Sequence, residues 1–319
     1  MERIVVLDAY GVNPGDLSWE PFERMGRLTV YEHCAPGALV ERAGGAGILL
    51  VDMCAIDDAA LSRLPNLRYI GLFATGHDQV DTEAARRRGI AVANVPEYST
   101  PSVAQMTFAL LLDLTNHVAA YSDYVARGNW RAHREFRYID GPLIELSGKT
   151  MGILGVGTIG AAVARIARAF GMHVLAWSRR RKHVDGIEVQ WAELDEVLRR
   201  SDVLSLHLPL TEETAGIINA RRLSLMKPGA FLVNTARGGL VVDEDLAAAL
   251  RDGRIAGAAL DVLGPTEPPP ADNPLLSAPN CTITPHVAWA TRAARERCLR
   301  TAAENLESFL RGESRNRIV

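Results

Sequence analysis

Gly155-Val156-Gly157-Thr158-Ile159-Gly160 stands between an apolar tetrad, Met151-Gly152-Ile153-Leu154, and a run from Ala161 to Phe170 that keeps helical apolar spacing. Gly171 closes that run, and Met172 to Trp177 reads as a second strand. Strand, glycine turn, helix and strand together occupy about thirty residues. Gly155 permits a tight turn. Gly157 removes a side chain so that the backbone can approach a pyrophosphate, and Gly160 lets the helix lie close to the strand. Thr158 and Ile159 fall at the helix start, whose N–H groups face phosphate charge. The competing reading is a glycine-rich helix start used only for close packing. Its place after a strand and before a helix favours a dinucleotide site.

Outward from this unit, strands are predicted at 203–207, 230–234, 256–261 and 282–284. Helices fit at 191–199, 220–226 and 244–252, with Asp243 placed to cap the last of these. Upstream, strands at 3–7, 28–31, 47–51, 69–73 and 91–94 alternate with helical stretches at 36–43, 59–64 and 82–88. Such alternation predicts α/β architecture with parallel sheets. The stretch 102–116 is apolar on nearly all sides, which predicts a buried helix. Residues 117–147 are richer in aromatic and charged side chains, among them Tyr121, Tyr124, Trp130, Phe136 and Tyr138. Aromatic residues rimmed by charge predict a dimerisation arm and hence a homodimer; a surface flap on a monomer is the alternative. A long terminal helix at 292–311 is expected to return to the first domain, because the second αβ series is complete by 284. The expected division is 1–99 with 286–319, and 100–285.

Composition narrows the function. With 319 residues the chain has room for two domains of ordinary size. A net charge of −3 gives no electrostatic case for nucleic acid or an anionic membrane as partner. No stretch reaches the ~18 uninterrupted apolar residues of a membrane span. Cys34, Cys54, Cys281 and Cys298 are scattered without a C-x-x-C pair and read as reduced thiols of a cytoplasmic protein. The N-terminus enters a strand with no signal-peptide pattern. No cluster of residues has metal-ligand spacing, so no metal is expected.

Three polar residues follow three successive strands. Arg237 comes after 230–234, Glu267 after 256–261 and His286 after 282–284. Strand ends on one edge of a parallel sheet converge on one cleft. Taken singly, each has a plain structural reading: an ion pair, a loop carboxylate, a packed histidine. Together, beside a nicotinamide, they are what carbonyl reduction needs. Arginine can hold a carboxylate bidentately. Histidine can give a proton to the nascent alkoxide, and a nearby carboxylate favours the charged imidazolium. The stretch Phe73-Ala74-Thr75-Gly76-His77-Asp78 closes the fourth strand. Small residues there let N–H groups point at an anion, an ordinary turn being the alternative.

At this point the chain resembles the D-isomer-specific 2-hydroxyacid dehydrogenase family over essentially its whole length. The matching stretches are 155–160, His207-Leu208-Pro209 through Thr214, Asn234-Thr235-Ala236-Arg237-Gly238-Gly239, 257–262, and Thr284-Pro285-His286. Within the family, stretches 98–105, 142–146, 271–276 and 286–291 look most like glycerate dehydrogenases, also called hydroxypyruvate reductases. The resemblance implies a Rossmann dinucleotide domain inserted in a flavodoxin-like substrate domain, with the active site in the cleft. It gives substrate binding and catalysis to Arg237, the acid/base role to His286 and its carboxylate partner to Glu267. Ala74, Thr75 and Gly76 would offer N–H groups to the substrate carboxylate. Gly155, Gly157, Thr158, Ile159, Gly160, His207, Leu208, Pro209, Thr214, Thr235, Ala236, Arg237, Asp261 and His286 would contact the cofactor, with Asp261 facing the nicotinamide carboxamide. The acidic residue expected at the end of the second strand is absent: Trp177 is followed by Ser178, Arg179, Arg180 and Arg181. Serine and arginine suit a ribose 2′-phosphate, so NADP(H) is expected over NAD(H). The implied reaction is reduction of hydroxypyruvate or glyoxylate to D-glycerate or glycolate. A dinucleotide-sensing, corepressor-like binding protein on the same fold is the alternative.

Overall fold

In the computed structural model, all residues are described except Met1, Pro36, Asp140, Lys182 and Pro265. The fold is α/β with two parallel sheets. Contacts divide the chain into two units, Met1–Ser99 with Trp289–Val319, and Thr100–Ala288.

The first unit holds β1 (Arg3–Leu7), β2 (Arg27–Val30), β3 (Ile48–Val51), β4 (Tyr69–Leu72) and β5 (Ala91–Ala93), in the order β2-β1-β3-β4-β5. This is the flavodoxin-like doubly wound order. Its central strands read as unbroken apolar runs because both faces of a parallel sheet are covered. Successive residues serve opposite faces. Ile4 and Val6 join Tyr69 under Cys298, Leu299 and Leu306 of the helix Arg292–Leu310. Val5 and Leu7 join Leu49 and Ile70 under Ala43, Leu61 and Ala84. The terminal helix thus roofs one face of the first sheet.

The second unit holds β6 (Thr150–Leu154), β7 (His173–Trp177), β8 (Gln190–Trp191), β9 (Val203–Leu206), β10 (Phe231–Asn234), β11 (Gly257–Leu260) and β12 (Cys281–Ile283). The order is β12-β11-β10-β9-β6-β7-β8, the dinucleotide-binding arrangement with one added strand. Its switch point falls between β6 and β9, where ligands bind outside the carboxyl ends of strands. The helices Thr100–Asn116 and Thr158–Ala169 cover one face through Phe108, Leu111, Val163 and Ala167. Leu198, Leu223, Leu246 and Leu250 cover the other.

Three local expectations are corrected. Trp191 does not start a helix; it ends the two-residue edge strand β8, and the helix spans Leu194–Arg200. Asp243 does not cap the helix Asp243–Arg251, because it lies inside the first turn and its carboxylate accepts from Asn273 Nδ2 at 2.7 Å. The helix expected at 36–43 spans Leu39–Ala43, and Pro36, its expected start, lies outside the described residues. A short helix at Glu20–Glu23 was not foreseen.

The stretch 117–147 carries the helices Val118–Ala126 and Asn129–Ala132, neither with a buried residue. Phe136 is 79% exposed and Ile139 68%. Among the described residues no helix is long and apolar enough to cross a membrane.

Candidate active site

The glycine turn is built by close backbone contacts. Gly155 has φ +95°, and a Cβ on it would lie 2.4 Å from the His207 carbonyl oxygen. A Cβ on Gly160 would lie 2.1 Å from the Gly155 carbonyl oxygen, so the helix Thr158–Ala169 starts directly against the turn. Gly157 differs. It is the N-cap of that helix, no side chain caps it, and a Cβ there would meet nothing within 4 Å. Open space over an uncapped helix start fits a pyrophosphate, as the chemistry of such sites requires.

At the end of β7, Ser178 is half-buried and Arg179 and Arg180 are exposed. Arg179 pairs with Glu213 at 3.0 Å and Arg181 with Glu193 at 3.2 Å. Exposed pairs of this kind are weak and can yield to a phosphate. Beyond β9, His207 Nε2 meets Ser205 Oγ at 2.8 Å, and burial pushes its imidazole down to about 4, so the ring is neutral at ordinary pH. Thr214 Oγ1 donates to the Pro209 carbonyl at 2.7 Å and accepts from the Thr211 N–H at 2.8 Å, bracing the turn that follows Leu208. Beyond β10, Thr235 shares a hydroxyl hydrogen bond of 3.1 Å with Thr107. The fully buried Asn234 accepts from the Ala236 N–H and donates to the Arg237 carbonyl, fixing the turn that carries Arg237.

His286 and Glu267 meet. Nδ1 of His286 donates to Glu267 Oε2 at 2.5 Å, and Glu267 Oε1 accepts from the Leu263 N–H at 3.1 Å. Their side chains are 31% and 27% exposed, so the pair is shielded more than a surface ion pair. Burial works to raise the Glu267 carboxyl. The hydrogen bond and charge of His286, the Leu263 N–H and the Arg237 charge outweigh it and hold the carboxyl below its ordinary value. Burial works to lower His286. The hydrogen bond and charge of Glu267, with the charge of Asp261, outweigh it even against Arg237 and hold the imidazole above its ordinary value. Arg237, half-buried, donates from Nη1 to the Ala236 carbonyl at 2.9 Å. The site therefore has a fixed cation, a carboxylate and an imidazole whose charged form is favoured by that carboxylate, at three strand ends.

Two features lay beyond the sequence reading. Asp261 is 1% exposed, and its carboxylate accepts from Thr284 Oγ1, Val287 N and Ala288 N. Gly238, next to Arg237, lies so close to Leu263 that a Cβ would stand 1.9 Å from its carbonyl carbon. The glycine doublet after Arg237 was the one available signal. In the first unit, Ala74, Thr75 and Gly76 follow β4; Thr75 Oγ1 donates to the Val95 carbonyl at 2.9 Å and Asn94 Nδ2 to the Thr75 carbonyl at 2.7 Å.

Residues 108–288 match the model of the D-isomer specific 2-hydroxyacid dehydrogenase NAD binding domain. A hydroxypyruvate reductase of Blautia hydrogenotrophica is 43% identical over 318 residues, covering 98% of both chains. A D-lactate dehydrogenase of Aquifex aeolicus, solved with NAD and lactic acid, superposes with a TM-score of 0.86 at 30% identity, covering 97% of this chain and 96% of that one. An acyclic imino acid reductase solved with NADPH and D-arginine reaches 0.87 at 30% identity over the full length of both. With the strand-end trio and the glycine turn on the same sheet edge, these likenesses make the chain a member of the D-isomer specific 2-hydroxyacid dehydrogenase family.

Proposed function

We propose that this NAD(P)-dependent oxidoreductase reduces hydroxypyruvate or glyoxylate to D-glycerate or glycolate, with NADPH preferred over NADH. The observation that carries the chemistry is the imidazole of His286 held on Glu267 at 2.5 Å and kept above its ordinary pKa. The name of the 43% identical relative supports the substrate. Ser178 and Arg179, in place of an acidic residue after β7, support NADPH.

A nicotinamide dinucleotide held at the glycine turn of Gly155, Gly157 and Gly160 would supply the hydride for the C2 carbonyl carbon. The chain does the rest. Arg237 binds the substrate carboxylate and polarises the carbonyl. Because Nδ1 of His286 is committed to Glu267, its Nε2 carries the reacting proton. That proton passes to the carbonyl oxygen as it gains negative charge, and Glu267 steadies the imidazole through the transfer. The exposed apolar residues of 117–147, Phe136 and Trp130 among them, form the contact of a homodimer on this reading.

The test is a panel of initial rates with hydroxypyruvate, glyoxylate and pyruvate, each with NADPH and with NADH. Fastest turnover of hydroxypyruvate with NADPH is expected. Turnover with NADH alone would overturn the cofactor reading and keep the chemistry. No turnover with any pair would overturn the enzyme reading in favour of a dinucleotide-sensing protein.

A further inference from the structure

We infer that Asp243 is a positioning residue for Glu267: its carboxylate clasps both ends of the loop that carries Glu267, and so fixes the group on which His286 is held. The inference rests on the reading of Glu267 and His286 as the pair that delivers the proton. Asp243 opens the helix Asp243–Arg251 and is 7% exposed. Its Oδ2 accepts from Asn273 Nδ2 at 2.7 Å, and its carboxylate also accepts from the Gly264 N–H. Gly264 stands three residues before Glu267 and Asn273 six after it. One buried side chain therefore closes the loop from both sides.

The clasp hangs from a rigid support and holds an irregular stretch. The segment that leads from Arg237 into the helix is pinned to 216–218. The Gly216 N–H donates to the Gly239 carbonyl, the Ile218 N–H to the Leu240 carbonyl and the Val242 N–H to the Ile218 carbonyl, each at 2.9 Å. The described residues between Leu260 and Pro274 form no strand or helix. A stretch without a ladder takes its shape from the groups that satisfy its polar atoms. Asn273 Oδ1 accepts from the Leu275 N–H at 3.0 Å, which orients its amide with Nδ2 toward Asp243. Burial, with the Glu244 charge behind it, keeps the Asp243 carboxyl above its ordinary value against both hydrogen bonds. A carboxylate so placed is costly unless its oxygens find donors, and the two ends of the loop supply them. Segment 237–243 thus carries Arg237 at one end and the hold on Glu267 at the other.

The test measures turnover and NADPH affinity in the full-length protein, with whichever of hydroxypyruvate and glyoxylate the wild type reduces faster. Asp243→Asn leaves one acceptor oxygen for two donors and turns an NH2 toward one of them, so the clasp opens at one end. Its kcat should fall by about tenfold or more, with NADPH affinity within about twofold of wild type. Asp243→Asn with Asn273→Asp exchanges amide and carboxylate across the same contact and keeps an acceptor for Leu275, so it should recover most of the lost kcat. With Glu267→Ala already present, Asp243→Asn should cost less than about twofold more, because no carboxylate is left to position. A loss that the exchange does not recover, or that is equal with and without Glu267→Ala, would make Asp243 an ordinary core residue and overturn the inference. So would wild-type kcat in Asp243→Asn. Should Asp243→Asn not fold, Asn273→Ala opens the same contact from the other side, and an unchanged kcat there would refute the inference alone. Wild-type turnover in Glu267→Ala would instead remove the proton-delivery reading on which the inference stands.

Discussion

Gly238→Ala adds one methyl group next to Arg237, and the structure sets its effect. The new Cβ would stand 1.9 Å from the Leu263 carbonyl carbon, 2.0 Å from its oxygen and 2.4 Å from the Gly264 nitrogen. Ordinary contact begins at 3.4 Å, so the two backbones must separate by about 1.5 Å. Neither partner is the end of a flexible side chain. Leu263 is also the residue whose N–H holds Glu267, so the displacement passes to the carboxylate that steadies His286. A misplacement of about 1 Å can cost roughly a hundredfold in rate. Overpacking of this kind costs about 1–3 kcal/mol in stability. Steady-state kcat for hydroxypyruvate with NADPH should therefore fall by about two orders of magnitude. The melting temperature should drop by several degrees, and NADPH binding should suffer less than turnover. Gly239→Ala is the control. The three atoms nearest its Cβ all belong to the Leu210 side chain, the first at 3.0 Å, and that side chain can swing aside. Wild-type kcat and melting temperature in Gly238→Ala would refute the reasoning.

Three further outcomes are expected. Ser178→Asp combined with Arg179→Ala should lower the ratio of NADPH to NADH activity by about tenfold or more, the worth of a charge-assisted hydrogen bond; an unchanged ratio would sink the 2′-phosphate reading. The stability gap between wild type and Glu267→Gln should depend on pH. His286, held above its ordinary value of 6.5, contributes fully below that value and loses its contribution as pH rises through its folded pKa. Glu267, held below 4.5, contributes above that value and loses its contribution as pH falls through its folded pKa. Melting curves should thus show the widest gap between the two ordinary values, 4.5 and 6.5, and a gap independent of pH would contradict the pair. Trp130→Asp with Phe136→Asp should convert a dimer into monomers by size-exclusion with light scattering, whereas a wild type already monomeric would remove the dimer proposal.

The sequence was legible wherever a local rule forces the structure. Gly155 and Gly160 could be read because the strand–turn–helix geometry leaves their Cβ no room. The strands of both sheets could be read because burial on two faces leaves unbroken apolar runs. The strand-end trio could be read because parallel order brings Arg237, Glu267 and His286 to one edge. The misses are contacts made at long range and one strand too short to show a pattern. Asp243 looks like a cap from its neighbours, but Asn273, thirty residues on, takes its carboxylate. Strand β8 has two residues, too short for a period, and Trp191 merges into the helical pattern that follows. The hold of Asp261 on 284–288 spans more than twenty residues, and nothing local to either end announces it.

The helix Arg292–Leu310 belongs to the first unit, yet some 190 residues separate it from Ser99. This has a consequence during synthesis. Residues 1–99 leave the ribosome with Ile4, Val6 and Tyr69 on a face that Cys298, Leu299 and Leu306 have yet to cover. At ~5–20 residues per second the wait is roughly 10–40 s. The second unit is complete by Ala288 and can fold in that interval. The first cannot bury this face of its sheet until that helix arrives, so nascent chains of this protein carry an unroofed apolar face throughout that interval, and that is the stage at which chaperones have something to hold.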